Sequence, residues 1–554
     1  MKQRVFGSYL TATALIAASL VTSRQGYAQD EAEPEAPAAE EPEAPAAEPT
    51  EAPPADTEAQ EAARAEADAD VGVKLDTSTD VDVEVDAEAD AKQPKKHGST
   101  RYGAADDWKV EPYGYVRFDT IRDSTQSFFD GQQPYLIARA GTYKGMHPRW
   151  TMTARDTRVG LSLGAPEYAG IRTSGKIEFD FFGIPPTDVR ENDQLSFGPV
   201  RIRHGYVRLD NAIVDIVAGQ TYDLFGWGPT FYPATVAFLG VPGQVYHRNP
   251  QLRLEKVMNF GGFGVTAAAA AVRPGQRDSG MPDAQAGVKF SVDGWSGAAA
   301  QGFGQAGIVP LSLGLSGMYR HFEMPAFRNE PGAESVSQNG YGAAANAVVP
   351  VIPAKRADDK GNALTLTGEF SVGTGISDMY TGMDGGSRLP LLANTRPGAG
   401  AGVPAYVYPQ NVDPGLVTFD RNWELATIDW QAFVVGLQYY LPVGAGDVWV
   451  SGVYSQIKSD NIKELTPAAS WGAVFTKMEY IDASVGFAVT PAVSLGLSFQ
   501  TLKQTFADVS PPTPVFGATA DYVNGVELPT VPGTGGKQAS ARNNRAQLTL
   551  AFFF

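Results

Sequence analysis

Residues 545–554 read Arg-Ala-Gln-Leu-Thr-Leu-Ala-Phe-Phe-Phe. In an extended chain, successive side chains point to opposite faces. Ala546, Leu548, Leu550, Phe552 and Phe554 then share one face. Arg545, Gln547, Thr549 and Ala551 share the other, with Phe553 as the exception. Such a strand is apolar on one side only, so it needs neighbours with the same two-sided pattern. Those neighbours fill the chain from residue 102 onward, as alternating segments separated by Gly, Pro and Asn turn signals. No long amphipathic helix interrupts them, and the 60 glycines and 28 phenylalanines suit turns and strand faces.

The N-terminus reads differently. Lys2 and Arg4 precede a short apolar run over 10–21, and Gly26-Tyr27-Ala28 offers a small-residue cleavage site. This is the pattern of a secretory signal peptide, 1–28. Residues 29–101 form an Ala/Pro/Glu-rich acidic segment of low complexity, and 29–98 alone account for a net charge of −17. Proline and like-charge repulsion leave too little apolar surface to offset ordering entropy, so the expectation is a disordered periplasmic spacer. The rest of the chain, 99–554, carries only −4. There are no cysteines, hence no disulfide and no thiolate chemistry.

No other segment reaches about 18 consecutive apolar residues, so no transmembrane helix is expected. Membrane barrels alternate polar and apolar residues, and the mean hydropathy of −0.19 fits them as well as a soluble protein. Candidate strands are 113–121, 150–163, 173–181, 200–209, 212–220, 250–257, 263–272, 284–292, 295–304, 311–322, 340–351, 364–373, 426–441, 447–457, 478–489, 493–506 and 545–553. Tight turns (209–211, 442–446, 490–492) alternate with long connections (182–198, 221–249, 376–424, 507–541). A closed, single-chain transmembrane antiparallel β-barrel shows this alternation and needs an even number of strands. The 17 candidates therefore include one too many. The weakest is 295–304, rich in Ala, Gly and Gln. Its removal gives an all-β barrel of 16 strands, whereas splitting a long loop would give 18.

A lipid-facing Arg or Lys costs about 2–4 kcal/mol at the bilayer midplane, which assigns the faces. Val116, Phe118, Ile177, Phe179, Phe181, Leu252 and Leu254 should face outward. Tyr115, Arg117, Asp119, Arg158, Lys176, Glu178, Asp180, Arg201, Arg203, Gln251, Arg253 and Glu255 should face inward. By the same count His204 falls on the outer face as an interface residue rather than a metal ligand. Arg208 falls there too, near a turn, and Arg155 shares the face of Val159 and Leu161 without explanation. A barrel of this strand number encloses water, so inward charges set the potential that a solute meets.

The closing strand resembles the C-terminal signature of bacterial outer-membrane barrels. Tyr113-Gly114-Tyr115-Val116-Arg117-Phe118-Asp119, Ala154-Arg155-Asp156-Thr157-Arg158-Val159-Gly160-Leu161, Arg203-His204-Gly205-Tyr206-Val207 and Ala218-Gly219-Gln220-Thr221 resemble, in order, segments of the DcaP-like trimeric porins. That resemblance implies a 16-stranded homotrimer in outer-membrane lipid, a third loop narrowing the pore, and small anionic solutes such as dicarboxylates. It implies a basic wall of Arg117, Arg158, Arg201, Arg203 and Arg253, and alternation places Asp119, Glu178, Asp180 and Glu255 beside it as pore-lining acids. Asp223, Phe225, Trp227 and Phe238 belong to the constriction loop. Phe554 becomes the recognition end for the barrel assembly machinery. The coiled coil that precedes the barrel in that family is replaced here by the acidic segment.

The expected function is therefore passive diffusion of small hydrophilic solutes through a water-filled channel. Alternatives are a barrel acting as an envelope adhesin or scaffold, and a barrel hydrolase. The five histidines (97, 147, 204, 247, 321) sit in no catalytic motif, so no enzyme, metal, cofactor or nucleic-acid partner is expected.

Overall fold

The computed structural model describes residues 108–554 apart from 129–135, 141, 184–198, 238–239, 326–334, 355, 357–358, 384–411, 421–423, 467–473 and most of 508–538. The signal-peptide and acidic-segment expectations lie outside the described residues.

Sixteen antiparallel strands form the wall. They are β1 (Lys109–Asp123), β2 (Arg149–Thr153, continued by Arg158–Gly164), β3 (Arg172–Asp180), β4 (Arg201–Asp210), β5 (Asp215–Tyr222), β6 (Arg248–Asn259), β7 (Phe263–Val272) and β8 (Asp283–Ala299). The second half comprises β9 (Gly307–Pro325), β10 (Ser335–Ile352), β11 (Leu364–Thr374), β12 (Asp429–Tyr440), β13 (Val448–Lys458), β14 (Phe475–Ala488), β15 (Val493–Phe506) and β16 (Ser540–Phe553). Each strand pairs with the next, and β16 closes on β1 in register from Tyr115↔Phe553 to Asp123↔Arg545. No sheet edge is left, which removes the unpaired backbone groups that lipid cannot satisfy. At the seam, Gly114 and Phe554 exchange both backbone hydrogen bonds, at 3.0 and 3.1 Å. A Cβ on Gly114 would lie 2.2 Å from the Arg158 carbonyl oxygen, so only glycine lets the seam close here.

Three expected strands take a different form. Segment 295–304 is not a separate strand: β8 runs on to Ala299, and a register shift opposite Pro310/Leu311 absorbs Asp293–Trp295. An even strand number does exclude this segment as a strand of its own, but its first residues continue their neighbour. Segment 150–163 is interrupted over 154–157, and both halves pair with β1. Segment 426–441 starts only at Asp429 because Leu425–Thr427 pairs with Val417–Phe419 in a separate hairpin.

Alternation sorts the faces as lipid requires. Val116, Phe118, Ile177, Phe179, Leu252, Leu254, Leu548, Leu550 and Phe552 are exposed on the outside, while Arg117, Asp119, Glu178, Asp180, Gln251 and Thr549 are buried within. Apolar packing also occurs inside the wall, where connections fold inward. Phe225, Val241 and Val245 of the β5–β6 connection, with Ile376, Met379 and Tyr380, join Trp430, Val434, Ile457, Met478 and Tyr480 of β12–β14 in one buried cluster.

Candidate functional site: the pore constriction

The β5–β6 connection, 223–247, runs around the inner wall and is bonded to it repeatedly. Phe225 N–H donates to Gln285 Oε1 (2.8 Å), Gly226 N–H to Ser316 Oγ (2.9 Å) and the Trp227 indole to Leu315 O (3.0 Å). Thr235 Oγ1 donates to Asp482 Oδ2 (2.6 Å), Val236 N–H to Ser484 Oγ (3.1 Å), and Ser455 Oγ to Pro242 O (2.5 Å). Near its return, Glu369 of β11 accepts from Val245 N–H, Gln244 Nε2 and Asn346 Nδ2, each at 2.6 Å. Because the wall meets these backbone and side-chain groups of the loop, its irregular backbone can lie at membrane depth. Its first turn is strained. Gly226, Trp227 and Gly228 have φ of 74°, 58° and 56°. Trp227 holds that conformation through its indole bond and by seating its ring over Gly287 and Gly314, where a Cβ would come within 2.9 Å and 2.8 Å of it.

Opposite the loop, β1–β5 supply a basic wall around a cavity of about 790 Å³. Arg117, Arg158, Arg201 and Arg203 line it, joined by Lys176, His204, His247 and Arg248. Most arginines are matched to carboxylates behind them. Arg117 contacts Asp119 and Asp156, both at 2.9 Å. Arg201 and Arg203 reach Asp180 at 2.6 and 2.8 Å, Arg203 also holds Glu178 at 2.7 Å, and Arg158 lies 3.5 Å from Glu178. These pairs fix the guanidiniums in place and cancel much of their charge.

Arg248 differs. It has no carboxylate partner among the described residues, and its Nη1 has no hydrogen-bond partner. Its guanidinium lies over the Tyr222 and Tyr246 rings, 5.4 and 5.5 Å from their centroids. Those hydroxyls are 2.5 Å apart and accept weakly from Arg203 Nη2 at 3.3 and 3.4 Å. The loop contributes Tyr232, Thr235, Tyr246 and His247 to the cavity, none of them acidic. Burial raises the Tyr232 pKa and keeps the phenol neutral. At His247 burial opposes the charge, but Asp223 at 3.5 Å outweighs it, so the imidazole pKa lies above its usual value.

The remaining expected site residues occupy other places. Arg253 points inward but lies outside this cavity, bound to Gln251 Oε1 (2.8 Å), to Tyr222 O and, more loosely, to Glu255 (3.8 Å). Glu255 also pairs with Arg208. Asp119 and Asp180 are fully buried behind their arginines, while Glu178 lines the cavity. Asp223, Phe225 and Trp227 belong to the inner loop, but their side chains are buried against the wall. The faces that narrow the pore are instead tyrosines. Phe238 lies outside the described residues.

Three face assignments change. Glu178 pairs with His204 but Phe179 pairs with Ile202, so Arg203 is the extra residue of a β-bulge. Beyond it the alternation flips: His204, Tyr206 and Arg208 face inward. His204 is thus a cavity residue, with Nδ1 3.1 Å from Thr221 Oγ1, and Arg208 pairs with Asp210 and Glu255 rather than reaching for the interface. Arg155 lies in the gap of β2, where it donates to Phe181 O (2.9 Å) and Gly183 O (3.0 Å). Among the described residues no cluster of metal-binding side chains exists.

No protein-family profile matches the chain, and no curated protein matches it in sequence. Solved structures do. The outer membrane channel DcaP of Acinetobacter baumannii is 17% identical, with a TM-score of 0.51 over 82% of this chain and 99% of that one. An anion-selective porin from Comamonas acidovorans is 12% identical, with a TM-score of 0.41 over 81% and 100% of the two chains. OprB of Pseudomonas putida is 13% identical, with a TM-score of 0.40 over 80% and 94%. The closed barrel and the DcaP-like order of motifs in the sequence agree: this chain has the fold of an outer-membrane channel, a 16-stranded transmembrane β-barrel.

Proposed function

We propose that the protein is a porin of the bacterial outer membrane that passes small hydrophilic solutes by diffusion and favours anions, dicarboxylates among them. The observation that carries this reading is the unpaired Arg248. It stands beside Arg201 and Arg203 and faces a loop that offers the pore tyrosines and a histidine but no carboxylate. A cation without its own counter-ion raises the local concentration of mobile anions without holding them tightly.

In this reading the long connections face outward and the short turns face the periplasm, together with the acidic segment 29–101 that follows the signal peptide. The assembly is a homotrimer, as the resemblance to DcaP-like porins implies, and Phe554 is the end read by the barrel assembly machinery. The chain performs no catalysis. Reversal potentials in planar bilayers under a salt gradient test the central claim: the purified protein should prefer chloride over potassium, and cation preference would refute it.

A further inference from the structure

The outer face of β13–β16 carries a feature that neither the pore nor the closure of the barrel accounts for. On this face the apolar residues Val485, Ile481, Phe499, Leu548 and Leu550 are exposed. Toward the long-connection ends of the same strands, outward positions become charged: Lys458, Lys477, Glu479, Lys503 and Arg542. Charges tolerated on the lipid side mark where hydrocarbon ends and headgroups begin.

Register makes the arrangement costly for the protein alone. Lys458 lies directly opposite Lys477 across β13–β14, and Lys503 directly opposite Arg542 across β15–β16. Like charges in directly opposed positions repel, and two such pairs occur side by side. Glu479, opposite Lys503, sits between them, 2.8 Å from Lys477 Nζ and 3.8 Å from Lys503 Nζ. Asp460 lies 3.3 Å from Lys458 Nζ. Among the described residues, two carboxylates therefore face four cations. All three lysines keep about a third of their side-chain surface accessible.

We infer that this face binds the phosphorylated headgroup of a lipid in the outer leaflet, with the acyl chains lying along Ile481, Val485 and Phe499. The inference rests on the outward orientation of the long connections given under Proposed function. An anion placed among Lys477, Lys503 and Arg542 converts two repulsive cross-strand pairs into a shared ion cluster, and the apolar surface continues directly from it. A soluble phosphate would use the cations but not the apolar surface, and a second copy of the chain would have to bring carboxylates.

The test uses the full-length purified protein in neutral detergent, with native mass spectrometry of retained lipid. Diphosphorylated lipid A should be retained over phosphatidylcholine by at least about tenfold, since each basic residue near a charged lipid surface contributes on the order of 1 kcal/mol before screening. The combined K477Q, K503Q and R542Q variant should fall to the phosphatidylcholine level with single-channel conductance unchanged. K477R with K503R should retain the lipid. Equal retention by the glutamine variant, or retention of enzymatically dephosphorylated lipid A by the unmodified protein, would overturn the inference. So would displacement of lipid A by inorganic phosphate at matched concentration, or dissociation of the oligomer in the glutamine variant without change in retained lipid. Lipid dephosphorylation reads the unmodified protein, so a variant that fails to fold does not remove the test. Cation-selective conductance together with phosphate-dependent lipid retention would sink the anion-preferring reading of the pore and leave this site standing.

Discussion

Replacing Arg248 with glutamine should reduce anion selectivity while leaving the barrel intact. Arg117, Arg158, Arg201 and Arg203 each have a carboxylate within 4 Å, whereas Arg248 has none among the described residues. Its deletion therefore leaves no buried carboxylate behind. A unit charge about 6 Å from a passing ion contributes about 0.7 kcal/mol at the dielectric of water, and screening at about 0.1 M salt leaves about 0.4 kcal/mol. Losing it penalises an anion and relieves a cation by the same amount, so the anion-to-cation permeability ratio should fall about four- to tenfold. Reversal potentials under a fixed salt gradient read this ratio directly, and repetition at about 1 M salt should erase most of the difference, because the Debye length is then about 3 Å. R117Q is the contrasting case. It strands Asp119 and Asp156, and breaking a buried pair costs about 3–5 kcal/mol, so it should reduce the yield of folded barrel rather than tune selectivity. An open R248Q pore with the original selectivity at low salt would refute the reasoning, as would a shift of the same size at high salt.

Other substitutions probe the parts that hold the constriction. E369A removes the acceptor of three hydrogen bonds from Val245, Gln244 and Asn346, and each donor left unpaired costs about 1–3 kcal/mol; open-channel noise should rise and the heat-modifiable gel transition should move to lower temperature. G314A places a Cβ 2.8 Å from Trp227 and 2.9 Å from Phe231, a clash worth about 1–3 kcal/mol, and should lower thermal stability and change conductance by displacing the loop's first turn. His247 has a raised pKa, so its charge is present below the ordinary imidazole value and is lost as pH rises through the raised one; anion preference should decline across that window, and H247Q should flatten the decline in bilayer recordings at stepped pH. Removing Phe554 deletes the hydrogen-bond pair with Gly114 at the seam, and outer-membrane fractionation should show less assembled barrel; normal assembly would deny the residue that role.

The sequence was most informative where a rule is local. Alternation in Lys176–Phe181 and Arg545–Phe554 assigned faces correctly because the two-residue period needs only the strand itself, and lipid makes an outward charge expensive. Closure was legible for a related reason: a closed sheet in which every neighbouring pair is antiparallel must have an even number of strands, which identified one surplus candidate. Alternation failed in β4. The bulge at Arg203 arises from the pairing of Glu178 with His204 and of Phe179 with Ile202, so it belongs to two strands at once, and no pattern within β4 announces that His204 and Arg208 turn inward.

The constriction was the least legible part for the same physical reason. Counted back from Arg253 and Gln251, alternation assigns Arg248 to the lipid side. It enters the pore because the inner loop rejoins the wall there, stacked on Tyr222 and Tyr246. The path of that loop depends on Gln285, Ser316, Glu369, Ser455, Asp482 and Ser484, residues from five strands that are far apart in the chain. The sequence alone determined a closed two-faced sheet with basic residues inside, since backbone geometry and the solvent on each side decide that strand by strand. Which of those charges are cancelled, and that Arg248 is not among them, was decided only by the tertiary structure, because an ion pair depends on where two distant side chains come to rest.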